Sequence, residues 1–408
     1  MTKKVSTPAL RFKGFTYTWK QRKLSDQFSD FIVPMRDKPK KFGGNIPWTR
    51  IEDIEGKYLN GSLSGQFVSK DTIKQMNLKI IPKDSLIVSS SATFGVVAII
   101  TQDLITNQTF IGLVPNDKET LDFWYTFFHS NEARNYMRLQ SAGSTIFYIA
   151  REHFEKMPII IPFKDEMITI GKYFSNLDRL ITLHQRKYDK LTNMKKSMLE
   201  KMFPKNGANV PEIRFKGFTD AWEQRKLGEA VQEVTRNDAT SDAPIMMITA
   251  NNGFIEQSER YAFNNAGESL KKYILLEKGE LAYNHGASKL RPYGSCFTLT
   301  TSENARIPFV YHCFSADEQN SEFLSIELNG ADVENQLRRI VSSGARMDGL
   351  LNISFQEYVS VSVLLPTIEE QNKIADFFKN LDNLITLHQR ELEKLKNFKK
   401  ACLEKMFV

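Results

Sequence analysis

Cysteine is scarce in this chain. Three of its 408 residues, Cys296, Cys313 and Cys402, are too few and too scattered for a disulfide framework or a zinc site, which fits a reducing compartment. Long apolar runs are missing as well. The longest, Phe94 to Ile100, is too short to span a bilayer. The opening Met1-Thr2-Lys3-Lys4-Val5-Ser6 leads into Arg11-Phe12-Lys13 without an apolar core, so no secretory signal, no membrane partner and a cytoplasmic location are expected. Catalytic signatures are equally thin. There is no Gly-x-x-x-x-Gly-Lys-Ser/Thr loop to cradle a nucleotide phosphate, and His129, His153, His184, His285, His312 and His388 show no metal-ligand spacing. Nor is there a nuclease-like Pro-Asp with a downstream Glu-x-Lys, and Glu200 falls in a helical stretch as surface charge. These absences point away from an enzyme and from a bound cofactor or metal.

Asn45-Ile46-Pro47-Trp48 resembles the Asn-Pro-Pro-aromatic loop of amino-methyltransferases, yet it lacks the second proline and no glycine-rich cofactor motif precedes it. It reads as a turn leading into a strand. What the chain does have is positive charge: a net +7 and a pI near 9.0 favour a polyanionic partner, nucleic acid first. Hydrophobic residues at 41% and charged residues at 25% are ordinary for folded domains, and the length suffices for two or three of them.

The chain also repeats itself. Arg11-Phe12-Lys13-Gly14-Phe15 with Trp19 returns as Arg214-Phe215-Lys216-Gly217-Phe218 with Trp222. Leu180-Ile181-Thr182-Leu183-His184-Gln185-Arg186 returns as Leu384-Ile385-Thr386-Leu387-His388-Gln389-Arg390. A unit this long is a whole domain plus an appendage, so the chain is a tandem duplication. Between the shared ends the halves diverge, which implies a common mechanical role for the ends and separate recognition by the middles.

From Glu166 to Phe203 there is no proline and only one glycine, Gly171, and apolar residues recur at steps of four and three. This predicts a long helix with a heptad seam of Ile170, Phe174, Leu177, Ile181, Tyr188 and Leu191. The second copy carries Ile374, Phe378, Leu381, Ile385, Leu392 and Leu395 in the same register. Polar residues interrupt both seams, His184 and Lys195 in one, His388 and Lys399 in the other. They either fix alignment or snorkel out of a splayed seam. A helix of roughly 38 residues rises about 57 Å. Two such rods pair most simply as an antiparallel coiled coil with pseudo-two-fold symmetry, in competition with each rod packing on its own domain. Ile159-Ile160-Ile161-Pro162 and Val363-Leu364-Leu365-Pro366 mark the domain-to-rod joints, and Thr367 with Glu370 forms a capping box. The expected organisation is α+β: a domain over 1–165, a long helix over 166–204, a second domain over 205–366 and a second long helix over 367–408.

Within the domains, Ser85 to Val88 and Val96 to Thr101 read as strands about a serine-rich turn containing Ser89 and Ser91. Leu121 to Leu139 reads as one helix whose Phe123, Trp124, Phe127 and Phe128 belong to a core rather than a base-stacking platform. For DNA contact the candidates are Arg36, Lys38, Lys40 and Lys41 ahead of Phe42-Gly43-Gly44, with Ser89 and Ser91. In the second half they are Arg236, Asn237, Lys289, Arg291, Tyr293 and Arg346, with Arg291 able to reach a guanine.

The paired tags, Ile46-Pro47-Trp48, the Ser343-Gly344 loop and Leu365-Pro366-Thr367-Ile368-Glu369-Glu370-Gln371 together resemble the specificity subunit of a type I restriction-modification system, over essentially the full chain. Lys164-Asp165-Glu166-Met167 departs from that last motif. The resemblance implies two target-recognition domains, each reading half of a split asymmetric sequence in double-stranded DNA, with the rods as spacer. It further implies two modification (methyltransferase) subunits and two restriction (ATP-dependent endonuclease) subunits as partners, which use S-adenosylmethionine, ATP and Mg2+ while this chain catalyses nothing. A coiled-coil scaffold without DNA specificity, or an enzyme with unrecognised motifs, are the alternatives.

Overall fold

The computed structural model describes every residue except 1–6, 36–37, 91–94, 142–147, 206, 239, 251–252, 260–266, 317, 342–349 and 408. The chain forms two compact units, one of residues 1–187 with 388–408 and the other of residues 188–387. Helices and strands are mixed in both.

In the first unit a five-stranded sheet takes the order Phe28–Ile32, Phe110–Pro115, Leu86–Ser89, Val97–Ile100, Tyr58–Leu59, antiparallel except for its last pair. A smaller sheet joins Phe67–Val68, Ile46–Thr49 and Ile105–Thr106. Ile46-Pro47-Trp48-Thr49 is thus a strand, with Trp48 buried rather than exposed for chemistry. The aromatic stretch splits into two helices, Leu121–Phe127 and Asn131–Gln140. Ser130 divides them because its side chain accepts a hydrogen bond from the Ala133 amide and starts a new helix. Phe123, Trp124, Phe127 and Phe128 are all core.

The second unit has a four-stranded sheet ordered Gln232–Glu233, His312–Ser315, Leu281–Asn284, Ser295–Thr298, beside the pairs Met246–Thr249 with Gly253–Glu256 and Ile274–Glu277 with Asn304–Ile307. Helices Ser321–Leu328, Ala331–Ile340 and Phe355–Val359 close its core. In both units the strand before the long helix pairs antiparallel with the strand after the tag: Pro158–Ile161 with Lys20–Lys23, and Ser362–Leu365 with Glu223–Lys226.

The long helices span Lys164–Lys201 and Ile368–Met406, and each begins in one unit and continues into the other. Within the first unit, Tyr173 meets Cys402, Phe174 meets Phe407, Asp178 pairs with Lys399 and His184 touches His388. From Tyr173 through Asp178 to His184 the partners fall from Cys402 through Lys399 to His388, so the segments run antiparallel. The second unit repeats this, with Lys195 on Asp382 at 2.6 Å and Phe203 against Phe378. The polar seam residues therefore neither idle nor merely snorkel: each lysine reaches an aspartate on the facing helix. Within each unit the long-helix segments both touch each other and pack on the globular core. Ile170, Phe174 and Leu177 share one core with Phe123, Trp124, Cys402 and Met406, and Ile374, Phe378 and Leu381 share another with Phe323 and Met202, partly buried Leu191 packing against it. Ile181, Tyr188, Ile385 and Leu395 are only half-buried, whereas Leu392 is buried. Gly171 is required by this docking, since a Cβ there would lie 2.6 Å from the Phe123 amide nitrogen.

Candidate nucleic-acid interface

A frame common to both units holds the variable loops. Arg11 donates from Nε and Nη2 to the two carboxylate oxygens of Glu166, both at 2.7 Å, and Arg214 does the same to Glu370, again at 2.7 Å twice. Glu166 is 1% exposed and Glu370 0%, so each tag is tied to the start of its long helix by a buried two-pronged ion pair. The expected capping box is corrected: the Glu370 carboxylate is taken by Arg214, and the amides of Glu370 and Gln371 turn to the Thr367 carbonyl. The departure in the first half falls one residue later. Gln371 binds Gln319, the Asn320 amide and the Pro366 carbonyl, while its counterpart Met167 is simply buried in the apolar core. Each tag also reaches the last turn of the helix that returns to it: the Leu10 amide donates to the Lys405 carbonyl and the Ile213 amide to the Lys201 carbonyl, at 2.9 and 2.8 Å.

On this frame the first unit presents Lys38, Lys40 and Lys41, all exposed. Lys38 Nζ lies 5.4 Å from the Phe42 ring centroid. The loop is pinned to strand Phe67–Val68 by the Gly43 amide on the Phe67 carbonyl at 2.7 Å. Gly44, at φ +100°, passes so close to Ser69 that a Cβ would sit 2.5 Å from its Cα. Three cations on a short anchored loop suit phosphate contact. Arg36, Ser91 and Arg346 lie outside the described residues. Ser89 is corrected: at 1% exposure in strand Leu86–Ser89 its side chain faces the core.

In the second unit Lys289, Arg291 and Tyr293 share the turn between strands Leu281–Asn284 and Ser295–Thr298. Ser288 and Arg291 close that turn by backbone and side-chain bonds at 3.0 Å, which leaves Lys289 and Leu290 exposed at its tip. Arg291 itself is turned inward, donating from Nη1 to the Asn329 carbonyl at 2.8 Å, so it braces the loop instead of offering a free fork to a base. Tyr293 is half-buried beneath Arg338, a cation on helix Ala331–Ile340 that periodicity alone did not single out. Arg236 binds Glu280 and, at 3.5 Å, Glu277; its charge is answered within the protein. Asn237 is exposed on a single bridge to Ile274.

The second unit also contains a cleft of about 750 Å³ bounded by Lys195, Phe203, Arg291, Glu327, Phe378 and Lys379. Burial pushes the Glu327 carboxyl up to about 7, against which the Leu364 amide bond works in the opposite direction. A raised folded value means that the folded unit keeps a proton the unfolded chain gives up above about 4.3. Stability of this unit is therefore expected to fall as pH rises from about 4 to 7 by on the order of 3 kcal/mol, and Glu327→Gln to flatten that slope. Urea unfolding across this pH range reads the effect, and an unchanged slope in the variant would refute it.

Among the described residues no group of three or more His, Cys, Asp or Glu is placed to hold a metal ion, and no helix is long and apolar enough to cross a membrane. Two mixed helix–strand units, each framed by a tag and a long helix and carrying its own loops, give the chain a modular, duplicated plan. Residues 18–193 match the family described as "Type I restriction modification DNA specificity domain". The MjaIX specificity subunit of Methanocaldococcus jannaschii is 25% identical over 235 residues, covering 55% of this chain and about half, 54%, of that relative. The MjaVIII specificity subunit of the same organism is 22% identical over 403 residues, covering 91% of this chain and 90% of that one. The fold is similar to the crystal structure of a type I restriction-modification S subunit from M. genitalium, at TM-score 0.54 and 16% identity over 98% of this chain and 99% of that one. The chain is thus similar, over nearly all of its length, to a type I restriction enzyme specificity subunit, and the family match covers residues 18–193.

Proposed function

We propose that this protein recognises DNA for a type I restriction-modification system, each unit reading one half of a bipartite, asymmetric target. The observation that carries this is the contrast between a frame repeated atom for atom at its ion pairs and the unrelated loops mounted on it. Identical frames serve one purpose twice; different loops serve two targets. The domains fall at 1–165 and 205–366, and the long helices pair as an antiparallel coiled coil with pseudo-two-fold symmetry that sets the spacing between half-sites. The reciprocal pairs Asp178–Lys399 and Lys195–Asp382, which exchange equivalent residues of the two copies, support that symmetry. In the first unit Lys38, Lys40 and Lys41 contact phosphate; in the second, Lys289 at the tip of its turn is the foremost contact.

The chain itself catalyses nothing and takes no cofactor. Two modification subunits supply S-adenosylmethionine-dependent methyl transfer, and two restriction subunits supply ATP- and Mg2+-dependent cleavage, in the cytoplasm. Leu183 and Leu387 occupy equivalent positions on the two long helices and are 41% and 51% exposed, apolar groups repeated where a repeated partner would dock. Leu387→Glu is expected to weaken binding of a modification subunit by about tenfold or more while leaving the melting temperature unchanged. Equal affinity in a pull-down titration would remove this surface from the interface.

The function is tested by mapping methylation on DNA modified by this chain with its modification subunits. A single split motif is expected, with one half changed when residues 26–157 are replaced by those of a relative. An unaltered motif would sink the reading.

A further inference from the structure

We propose that His184 and His388 form a two-imidazole site for a borderline-soft divalent transition metal such as Zn2+, which clips the first long helix to the returning end of the second. Both residues belong to the first unit, and their Nδ1 atoms lie 3.2 Å apart. Two Zn–N bonds of about 2.05 Å at a tetrahedral angle place their nitrogens about 3.3 Å apart, so the spacing already matches the bite of one ion. The rings are steeply inclined, at 67°, with centroids 5.2 Å apart, so the nitrogens converge without the rings stacking. Both are half-buried, which leaves room for water to complete the coordination sphere.

The surroundings favour this use. The two histidines come from different helices, so their positions are held by the packing around them: Phe174 and Leu177 are buried in the core shared with Cys402 and Met406, and Asp178 binds Lys399. A preformed pair loses little freedom on binding. Imidazole nitrogens suit Zn2+, Ni2+ and Cu2+ and disfavour Mg2+ and Ca2+, and at pH 7.5 ordinary histidine is mostly neutral and free to coordinate. Without a metal the same contact is a hydrogen bond from one Nδ1–H to the other Nδ1; to bind an ion the donor ring takes its Nε2–H tautomer, its proton passing from Nδ1 to Nε2 through solvent with no net release.

The experiment uses the full chain without an affinity tag, stripped with chelator and melted with added Zn2+. With Zn2+ in about hundredfold excess over its dissociation constant, Tm is expected to rise by about 5 °C. His184→Gln and His388→Gln should each abolish the rise without preventing folding. Electron paramagnetic resonance of one equivalent of Cu2+ should show two coordinated nitrogens in the parent protein, and fewer in either variant. No rise with Zn2+, or a rise that survives both substitutions, overturns the proposal, as does a Cu2+ spectrum indifferent to them.

Discussion

Arg214→Ala is expected to destabilise the second unit by about 3–5 kcal/mol, because it leaves the Glu370 carboxylate buried with no cation. The two parallel bonds at 2.7 Å offset the desolvation of that carboxylate only while both are made. The double change Arg214→Met with Glu370→Leu should recover most of the loss, since an apolar pair of similar volume carries no charge to strand. Hydrogen exchange of strand Ser362–Leu365 under mild urea reads this unit without interference from the other. A single variant as stable as the parent, or a double variant as weak as the single, would show that the pair does not hold the tag to the helix. Arg11→Ala should do the same to the first unit, where Glu166 is the stranded group.

Phe407→Ala should cost the first unit about 3–5 kcal/mol by opening a cavity. The ring is 5% exposed and lies against Trp19, Phe123, Phe127 and Phe174, with centroids 5.7 to 6.5 Å away. Those four residues come from the tag, the helix Leu121–Phe127 and the first long helix, so one side chain joins three elements that are distant in sequence. Trp19 fluorescence, isolated by replacing the other indoles, should shift to the red at a lower urea concentration. The counterpart Phe203 packs on Trp222, Phe323 and Phe378 but is only half-buried, so Phe203→Ala should cost the second unit less. Equal losses would mean that exposure does not set the scale here.

Much of this architecture was written in local pattern. Period-3.5 spacing in two stretches free of proline marked the long helices, and the repeated tags marked the duplication, because both signals need only neighbours in sequence. The Ile159 and Val363 runs showed as strands for the same reason. The aromatic stretch misled as to continuity, since apolar periodicity does not register a single capping serine such as Ser130. The loop cations were legible as charge but not as availability. Arg236 and Arg291 look alike in sequence to Lys40 and Lys289, yet one faces Glu277 and Glu280 and the other the Asn329 carbonyl, partners 38 or more residues away.

By itself, then, the sequence determined the α+β composition, the two long helices, the doubled plan and the resemblance to type I restriction-modification specificity subunits. The ion pairs Arg11–Glu166 and Arg214–Glu370, the lysine–aspartate exchange between helices, the meeting of His184 with His388 and the inward turn of Arg291 were decided only by tertiary structure. Each depends on groups brought together across 38 to more than 200 residues, where chain periodicity carries no information and the geometry of packing carries all of it.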